Sequence, residues 1–437
     1  MRLVAAIGAS ALACLSCPPA EAQAIDHGFS VPAHLQLEDA VRLFRQHGLD
    51  LILAEAAVES ARGDALLASA APNLAFSGGV GRSFLCGGMS GCSDLAWSAG
   101  VSDQSALFES LSGKRGLRMN VAQLALEVAR KGQADARRTL EAMLRQSYLK
   151  AVFAHQSLLI QKEAQQTLAH LADLNRARFH SGAISEVEVW KVETEKLAAD
   201  QDVERAQRDL DIAKAQLAFL FGVRGRLPVF EVDGELPAFV VPSSLQGASV
   251  DSLLELARKQ RPDLAGAKLD RQRAEAAVRS SQRLRFPDVE LSASVSGQGS
   301  GVSSVNPPTV FFGFTLTPPI FNRYQGEIVK AKADLTVQQA QLAKTEAQVL
   351  NDVQTGFTQF SSARNRVERA ERELLERAKR TRDLVQLQYQ KGSASLLEYL
   401  DAERILIATK LDYVNDLVDY WESVVLIDQA VGVETRP

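Results

Sequence analysis

Between Pro319 and Pro437 the chain carries no proline, and over most of that interval its apolar residues recur in steps of three, four or seven. The series runs Ile328, Ala331, Leu335, Leu342, Val349, Val353, Phe357, Phe360, Val367, Ala370, Leu374, Ala378 and Val385. Such steps keep one apolar stripe along a helix, and at this length they are the pattern of a helix packed in a coiled-coil manner. From Gly326 to Lys391 the helix would be a rod of roughly 100 Å, longer than a compact domain can use. Lys391-Gly392-Ser393 ends it with a helix-stop glycine, and Leu396, Leu397, Glu398, Leu400, Asp401 and Glu403 open a second helix. The spacing thus predicts two long antiparallel helices joined by a tight turn.

The same order of signals occurs earlier in the chain. Residues 37–71 and 251–285 read as helices interrupted at Gly48 and Pro262 and ended before Pro72 and Pro287. An alternating segment follows each proline: Leu74, Phe76 and Val80 in the first, Val289, Leu291, Ala293 and Val295 in the second, the latter set against Asp288, Glu290, Ser292 and Ser294. After a glycine- and serine-rich loop, Trp97, Ala99 and Val101 alternate in one copy, and Val310, Phe312, Phe314 and Leu316 in the other. These segments predict strands at about 73–82, 95–104, 288–297 and 309–317. Next, Leu107-Phe108 with Gly113 matches Ile320-Phe321 with Gly326, each pair leading from strand to long helix. The first long helix breaks at Ser181-Gly182 as the second does at Lys391-Gly392, and Glu188 matches Glu398. The offset stays near about 210 to 215 residues, which is a tandem duplication. The repeats would span 25–221 and 251–430, joined by the proline-bearing linker 222–250 and followed by a tail at 431–437.

Four strands of about ten residues with one apolar face have the length of tilted membrane strands. Four cannot close a barrel, and lipid tolerates no open edge, because unpaired backbone groups there cost several kcal/mol each. Several chains would therefore share one barrel, with the polar alternate faces lining a watery lumen that the helices extend. The plainer alternative is an extracytoplasmic coiled-coil scaffold, which leaves the paired alternating segments unexplained.

Other features bound the function. Arg2, the apolar run Leu3 to Leu15 and Ala22-Gln23-Ala24 read as a secretory signal peptide over 1–24, so the mature chain would begin at Ile25. Cys14 and Cys17 leave acylation open as an alternative N terminus. Beyond Ala24 no run of apolar residues is long enough for a membrane helix. Cys86 and Cys92 bracket a glycine-rich turn and are expected to form a loop disulfide in an exported protein. A net charge of −4 gives no basic excess for nucleic acid. The six histidines are scattered, so no metal set is expected. Ser112-Gly113-Lys114-Arg115-Gly116 lacks the upstream glycine of a phosphate loop, and Gly297, Gly299 and Gly301 read as loop glycines. No nucleophile, base and orienting group fall at a recognisable spacing, so neither an enzyme nor a cofactor is expected.

In order, spacing and duplication the chain resembles the outer membrane factors of the TolC family, over nearly the whole mature sequence. The most family-like stretches are Pro319-Ile-Phe-Asn-Arg-Tyr-Gln-Gly326 and Tyr389-Gln-Lys-Gly-Ser-Ala-Ser-Leu-Leu-Glu-Tyr-Leu-Asp401. The resemblance implies a mainly α fold with membrane β: a homotrimer in which three chains form one 12-stranded barrel in outer-membrane lipid and a helical tunnel across the periplasm. It also implies partners, a periplasmic adaptor and an inner-membrane pump for which the channel is the passive exit duct. Within the family the stretch from Ile320 to Ile328 looks like the CzcC-like heavy-metal efflux branch, so drugs, toxic compounds or metal cations are the expected cargo. A duct for type I protein secretion is the runner-up.

The resemblance also carries over residues. Glu398 and Asp401 match acidic positions that ring the closed inner end of the tunnel, although by periodicity alone both are ordinary solvated charges at a helix end. Tyr389 matches a tyrosine that ties the closed state, while Ala394 stands where some members have an arginine in that tie. In the first copy Lys191 replaces Asp401. The tip turns at Ser181, Gly182 and Ala183 and at Gly392, Ser393 and Ala394 are expected to dock the adaptor. Phe108, Gly113, Pro319, Phe321 and Gly326 mark the expected junctions between barrel and helices.

Overall fold

A computed structural model describes residues 31–82, 95–232, 236–298 and 307–433. The chain begins with a two-residue strand β1 (His34–Leu35) and the helices α1 (Leu37–His47) and α2 (Leu49–Ser69). The strands β2 (Ala75–Arg82) and β3 (Leu95–Ser102) follow, then a short α3 (Ala106–Leu111), the 67-residue α4 (Lys114–His180) and α5 (Glu186–Leu220). A two-residue β4 (Glu231–Val232) pairs in parallel with β1. The second half runs α6 (Val250–Gln260), α7 (Pro262–Arg283), β5 (Asp288–Gln298), β6 (Thr309–Thr317), α8 (Gln325–Arg369), α9 (Leu375–Gln390) and α10 (Leu396–Val431). The rod expected from Gly326 to Lys391 is continuous except for a π turn, Ala370–Leu374, between α8 and α9. Its counterpart α4 has no such turn.

The strands β2, β3, β5 and β6 form one antiparallel sheet in that order. Directly opposed residues share a face, so the register decides which side chains line up. Phe76, Val101, Ala293 and Phe312 form one row, and Val80, Trp97 and Gly297 another. The alternate face holds the rows Ser77, Gly100, Ser294, Phe311 and Gly79, Ser98, Ser296, Thr309. In these rows one face is therefore apolar and the other, apart from Phe311, small and polar, with Asp288 and Glu290 further along the polar face. The apolar face is bare in the single chain: Phe76 is 81% exposed and Phe312 85%. Gly297, expected in a loop, lies within β5. No described helix is long and apolar enough to cross a membrane.

The helices pack around three clusters of buried side chains. Mid-rod, Val349, Val353, Phe360 and Val367 of α8 meet Leu417, Tyr420, Trp421 and Val424 of α10. Each such side chain contributes roughly 1.5–3 kcal/mol of burial. Residues 236–250 are strapped to this cluster, with the Tyr420 hydroxyl donating to Val240 O (3.0 Å) and Trp421 Nε1 to Pro237 O (3.0 Å). A second cluster joins Leu35 and Phe44 to Leu144 and Val152 of α4 and Leu217 of α5. The third lies at the helix tips and includes Leu168, Leu171 and Ala172 of α4, Val192 of α5, Tyr389 of α9, and Leu396, Tyr399 and Leu400 of α10.

Candidate functional site at the helix tips

The two tips have the same backbone construction. α4 ends with Gly182 left-handed at φ 75°, and α9 with Gly392 at φ 78°. In the first, the Gly182 N–H donates to Phe179 O (2.8 Å) and Ala183 N–H to Arg178 O (2.9 Å); in the second, Gly392 donates to Tyr389 O (3.1 Å) and Ser393 to Gln388 O (2.9 Å). Both are the glycine-terminated pattern that satisfies the last helical carbonyls. Ser181, Gly182, Ala183, Gly392 and Ser393 are exposed, and Ala394 is half-buried against the tip cluster.

The helices that leave the turns differ. At α10 the Ser395 hydroxyl accepts from the Glu398 N–H, and the Glu398 carboxylate accepts from the Ser395 N–H (2.6 Å) and hydroxyl (2.9 Å). This is a reciprocal capping box. The backbone bond from Ser395, then that from its hydroxyl, lowers the Glu398 pKa below its ordinary value. At α5 the spacing Ser185 to Glu188 is the same, yet Ser185 makes no side-chain cap. Asp401 is exposed on the same face of α10. Asp401 and Glu398 share a cleft of about 660 Å³ between α5 and α10 with Trp190, Lys191, Glu195 and Arg404. An Arg404–Glu195 ion pair bridges the two helices across it.

Tyr389 is buried. Its hydroxyl donates to Asn175 Oδ1 (3.0 Å), its ring stacks on Tyr399 with centroids 5.5 Å apart and 9° between planes, and the Arg178 guanidinium lies 5.1 Å from its centroid. Sequence reading left out Asn175, Arg178 and Tyr399. The available signal was position: Asn175 continues the spacing of Leu168, Leu171 and Ala172, where an apolar residue is the rule. Glu403 was likewise read only as an opening residue of its helix. It is 6% exposed, and one carboxylate oxygen has no hydrogen-bond partner, with Arg382 Nη1 3.6 Å from it. Burial raises its pKa, against the attraction of Arg382 and Lys410.

At the other end of the rods the expected junction residues are spread over two roles. Gly113 is left-handed (φ 76°) immediately before α4, but the matching position before α8 is Tyr324 (φ 57°). Gly326, paired with Gly113 on sequence, lies one residue inside α8, because the second helix starts closer to its phenylalanine. Phe108 is half-buried on α3, while Phe321, two residues beyond Pro319, is 97% exposed. Lys114, 9% exposed, joins the sheet to α4 by donating to Asp288 Oδ1 (2.7 Å) and Phe286 O (2.8 Å). Cys86 and Cys92, like Cys14, Cys17 and the segment 1–24 expected to be a signal peptide, lie outside the described residues.

The chain belongs to the outer membrane efflux protein family, whose family model matches residues 40–223 and again residues 253–433. Among curated proteins it is 23% identical over 322 residues to the cobalt-zinc-cadmium resistance protein CzcC of Cupriavidus metallidurans, a match covering 74% of each chain. Among solved structures it is similar to CusC, with a TM-score of 0.75, 18% identity and coverage of 91% of this chain and 92% of that one. It is also similar to the outer membrane protein VceC of Vibrio cholerae, with a TM-score of 0.73, 19% identity and coverage of 92% and 97%.

Proposed function

We propose that this chain is the passive exit duct of a tripartite efflux system, with three copies sharing one twelve-stranded barrel in the outer membrane. The sheet register carries this reading. It sorts apolar from small polar side chains onto opposite faces and leaves β2 and β6 each with an unpaired edge. An open edge with an apolar face is unstable in lipid and a hazard in water, and closure with like copies removes both problems. The paired helices then extend the polar lumen into the periplasm. Glu398 and Asp401 stand at the first turns after the tip, where three copies would bring six carboxylates towards one axis. The exposed tip turns are the docking points for an adaptor. The similarity to CzcC favours toxic metal cations as cargo, chosen by the partner pump, since a wide watery duct selects little.

Size and conductance test this together. Detergent-extracted protein is expected to run on unheated gels at about three times the chain mass, to collapse to one chain on boiling, and to conduct ions in planar bilayers. A protein that leaves the envelope without detergent and conducts nothing would overturn the reading in favour of a coiled-coil scaffold.

A further inference from the structure

We infer that Arg285 and Arg323 bind the phosphates of anionic phospholipids in the periplasmic leaflet, with Phe286, Ile320 and Phe321 seated beside them at the edge of the hydrocarbon. This rests on the duct reading, which puts the bare face of the sheet in lipid, and adds a lipid-selecting site at its inner rim.

The register sets the place. Asp288 of β5 pairs with Thr317 of β6, so Arg285 and Phe286, just before the one, and Ile320 to Arg323, just after the other, leave the sheet at the same rim. The long helices depart from this rim, so in the duct it meets the periplasmic leaflet. Its apolar side chains are bare: Phe286 is 49% exposed, Ile320 62% and Phe321 97%. Exposed aromatic and aliphatic groups at the ends of membrane strands belong at the boundary between acyl chains and headgroups. Arginines next to them reach headgroup depth on their own apolar stems.

Other basic groups here are engaged within the chain. Lys114 is held by Asp288 and Phe286 O, Arg118 pairs with Glu109, and the Arg283 guanidinium donates to Ser112 O (2.6 Å) and lies 3.8 Å from the Phe286 ring centroid. Arg285 and Arg323 are exposed, and neither guanidinium has an acidic partner among the described residues; Arg323 reaches only Ile320 O, at 3.4 Å. A guanidinium fork matches the geometry of phosphate, and each arginine near an anionic lipid surface strengthens attachment to it. Duplication does not supply the pair. At the offset that relates Pro72 to Pro287, Arg285 corresponds to Ala70, and at the offset that relates Gly113 to Gly326, Arg323 corresponds to Ser110. The first repeat thus builds the same rim without a charge at either place, and three copies in one barrel would carry three such sites.

The test is a titration of detergent-extracted full-length protein with phosphatidylglycerol and with phosphatidylethanolamine of the same acyl chains, the bound lipid being counted by native mass spectrometry. Wild type is expected to bind phosphatidylglycerol at least about fivefold more tightly. Arg285→Gln and Arg323→Gln should each weaken that binding about fivefold, and the double variant should bring it down to the phosphatidylethanolamine level. Phosphatidylethanolamine, whose amine offsets its phosphate, should lose less than about twofold in the single variants. Arg279→Gln removes an exposed arginine further back in α7 and is the control for net charge, expected to change neither lipid. Phe321→Ser should weaken both lipids alike. Both arginines lie outside helix and strand, and heat-modifiable migration follows assembly of each variant separately. Equal wild-type affinity for the two lipids, unchanged single variants, an equal loss in Arg279→Gln, or displacement of phosphatidylglycerol by equimolar glycerol phosphate overturns the inference alone. A protein that needs no detergent and binds neither lipid overturns the duct reading and this inference with it.

Discussion

Trp97 of β3 lies against the α-carbon of Gly297 of β5, so closely that a β-carbon on residue 297 would sit 2.8 Å from Trp97 Cζ2 and 3.0 Å from Cε2. The two are direct partners on the apolar face, and the absent side chain is what lets the indole lie flat across the strand. Gly297→Val is therefore expected to push the indole out of place, at an overpacking cost of about 1–3 kcal/mol. The measurement is the midpoint of thermal melts in detergent, which should fall. An unchanged temperature would show that the indole moves aside freely.

Arg261 follows α6 at 3% exposure and joins a neighbour, Asp263, to two distant parts of the second half. It forms a two-pronged pair with Asp263 (3.0 and 2.6 Å), bonds Asp352 of α8 (2.8 Å), and donates to Ala430 O near the end of α10 (3.2 Å). Arg261→Met would leave Asp352 without this cation and Asp263 with only Arg138, 3.9 Å away. The expected loss is roughly 1–3 kcal/mol, that of hydrogen bonds to charged groups left unmade, seen as a lower midpoint in thermal melts followed by helical circular dichroism. Arg261→Lys should recover only part, since an ammonium cannot reproduce the fork.

Glu403 predicts a pH effect of a definite sign. Burial raises its folded-state pKa above the value it has unfolded. Its favourable contribution is therefore complete below the ordinary carboxylate range, near about 4.3, and is lost as the pH rises through the folded value. Glu403→Gln keeps the shape without the charge. Its melting temperature should match wild type at low pH and equal or exceed it at pH values well above that range. A deficit of Glu403→Gln that is absent at low pH and grows as the pH rises would mean that the attraction of Arg382 outweighs the cost of burial.

The parts of this fold that could be read from sequence are those with a period or a break. The alternation of Val310, Phe312, Phe314 and Leu316 marks β6, and the steps from Ile328 to Val385 mark the rod, because burial on one side repeats with the local geometry. Gly182 and Gly392 were legible because a left-handed residue that ends a helix favours glycine. Tyr324 was not, since its left-handed backbone is imposed by the chain's path and leaves no mark in residue type, and Gly326 two positions on drew the match instead. The π turn at Ala370–Leu374 was hidden for a related reason: its apolar steps are those of an ordinary helix. Pairings between distant segments have no local signature either. The position of Asn175 on the apolar spacing marks it as a core amide, but nothing local names Tyr389 as its partner. Glu398 shows the same limit in reverse, since its carboxylate was read for its charge and is held by the cap.

The tip glycines make a paired prediction. At φ 75° and 78° both lie where a side chain is strained, yet nothing stands within 4 Å of a β-carbon at either. Gly182→Ala and Gly392→Ala should each cost about 1 kcal/mol from the backbone alone. If the exposed tips dock an adaptor, bulky residues at Ala183 or Ser393 should abolish resistance in cells while leaving heat-stable oligomers intact. Normal resistance in such variants would count against docking there.

Glu398 and Asp401 can be separated because only one of them holds the helix start. Alanine at Glu398 removes a charge and also opens the box with Ser395, which costs about 1 kcal/mol at a helix N terminus. Glutamine removes the charge and can still accept from the Ser395 N–H. If like charges gathered at the narrow end shape ion flow, Glu398→Gln with Asp401→Asn should lower the preference for cations over anions, measured as a reversal potential across a salt gradient, with little change in stability. If Glu398 acts only as a cap, the glutamine variant should behave as wild type and the alanine variant should lose stability without a change in selectivity. Asp401→Asn alone then becomes the cleaner probe, since no described partner holds that carboxylate and any shift in reversal potential comes from its charge.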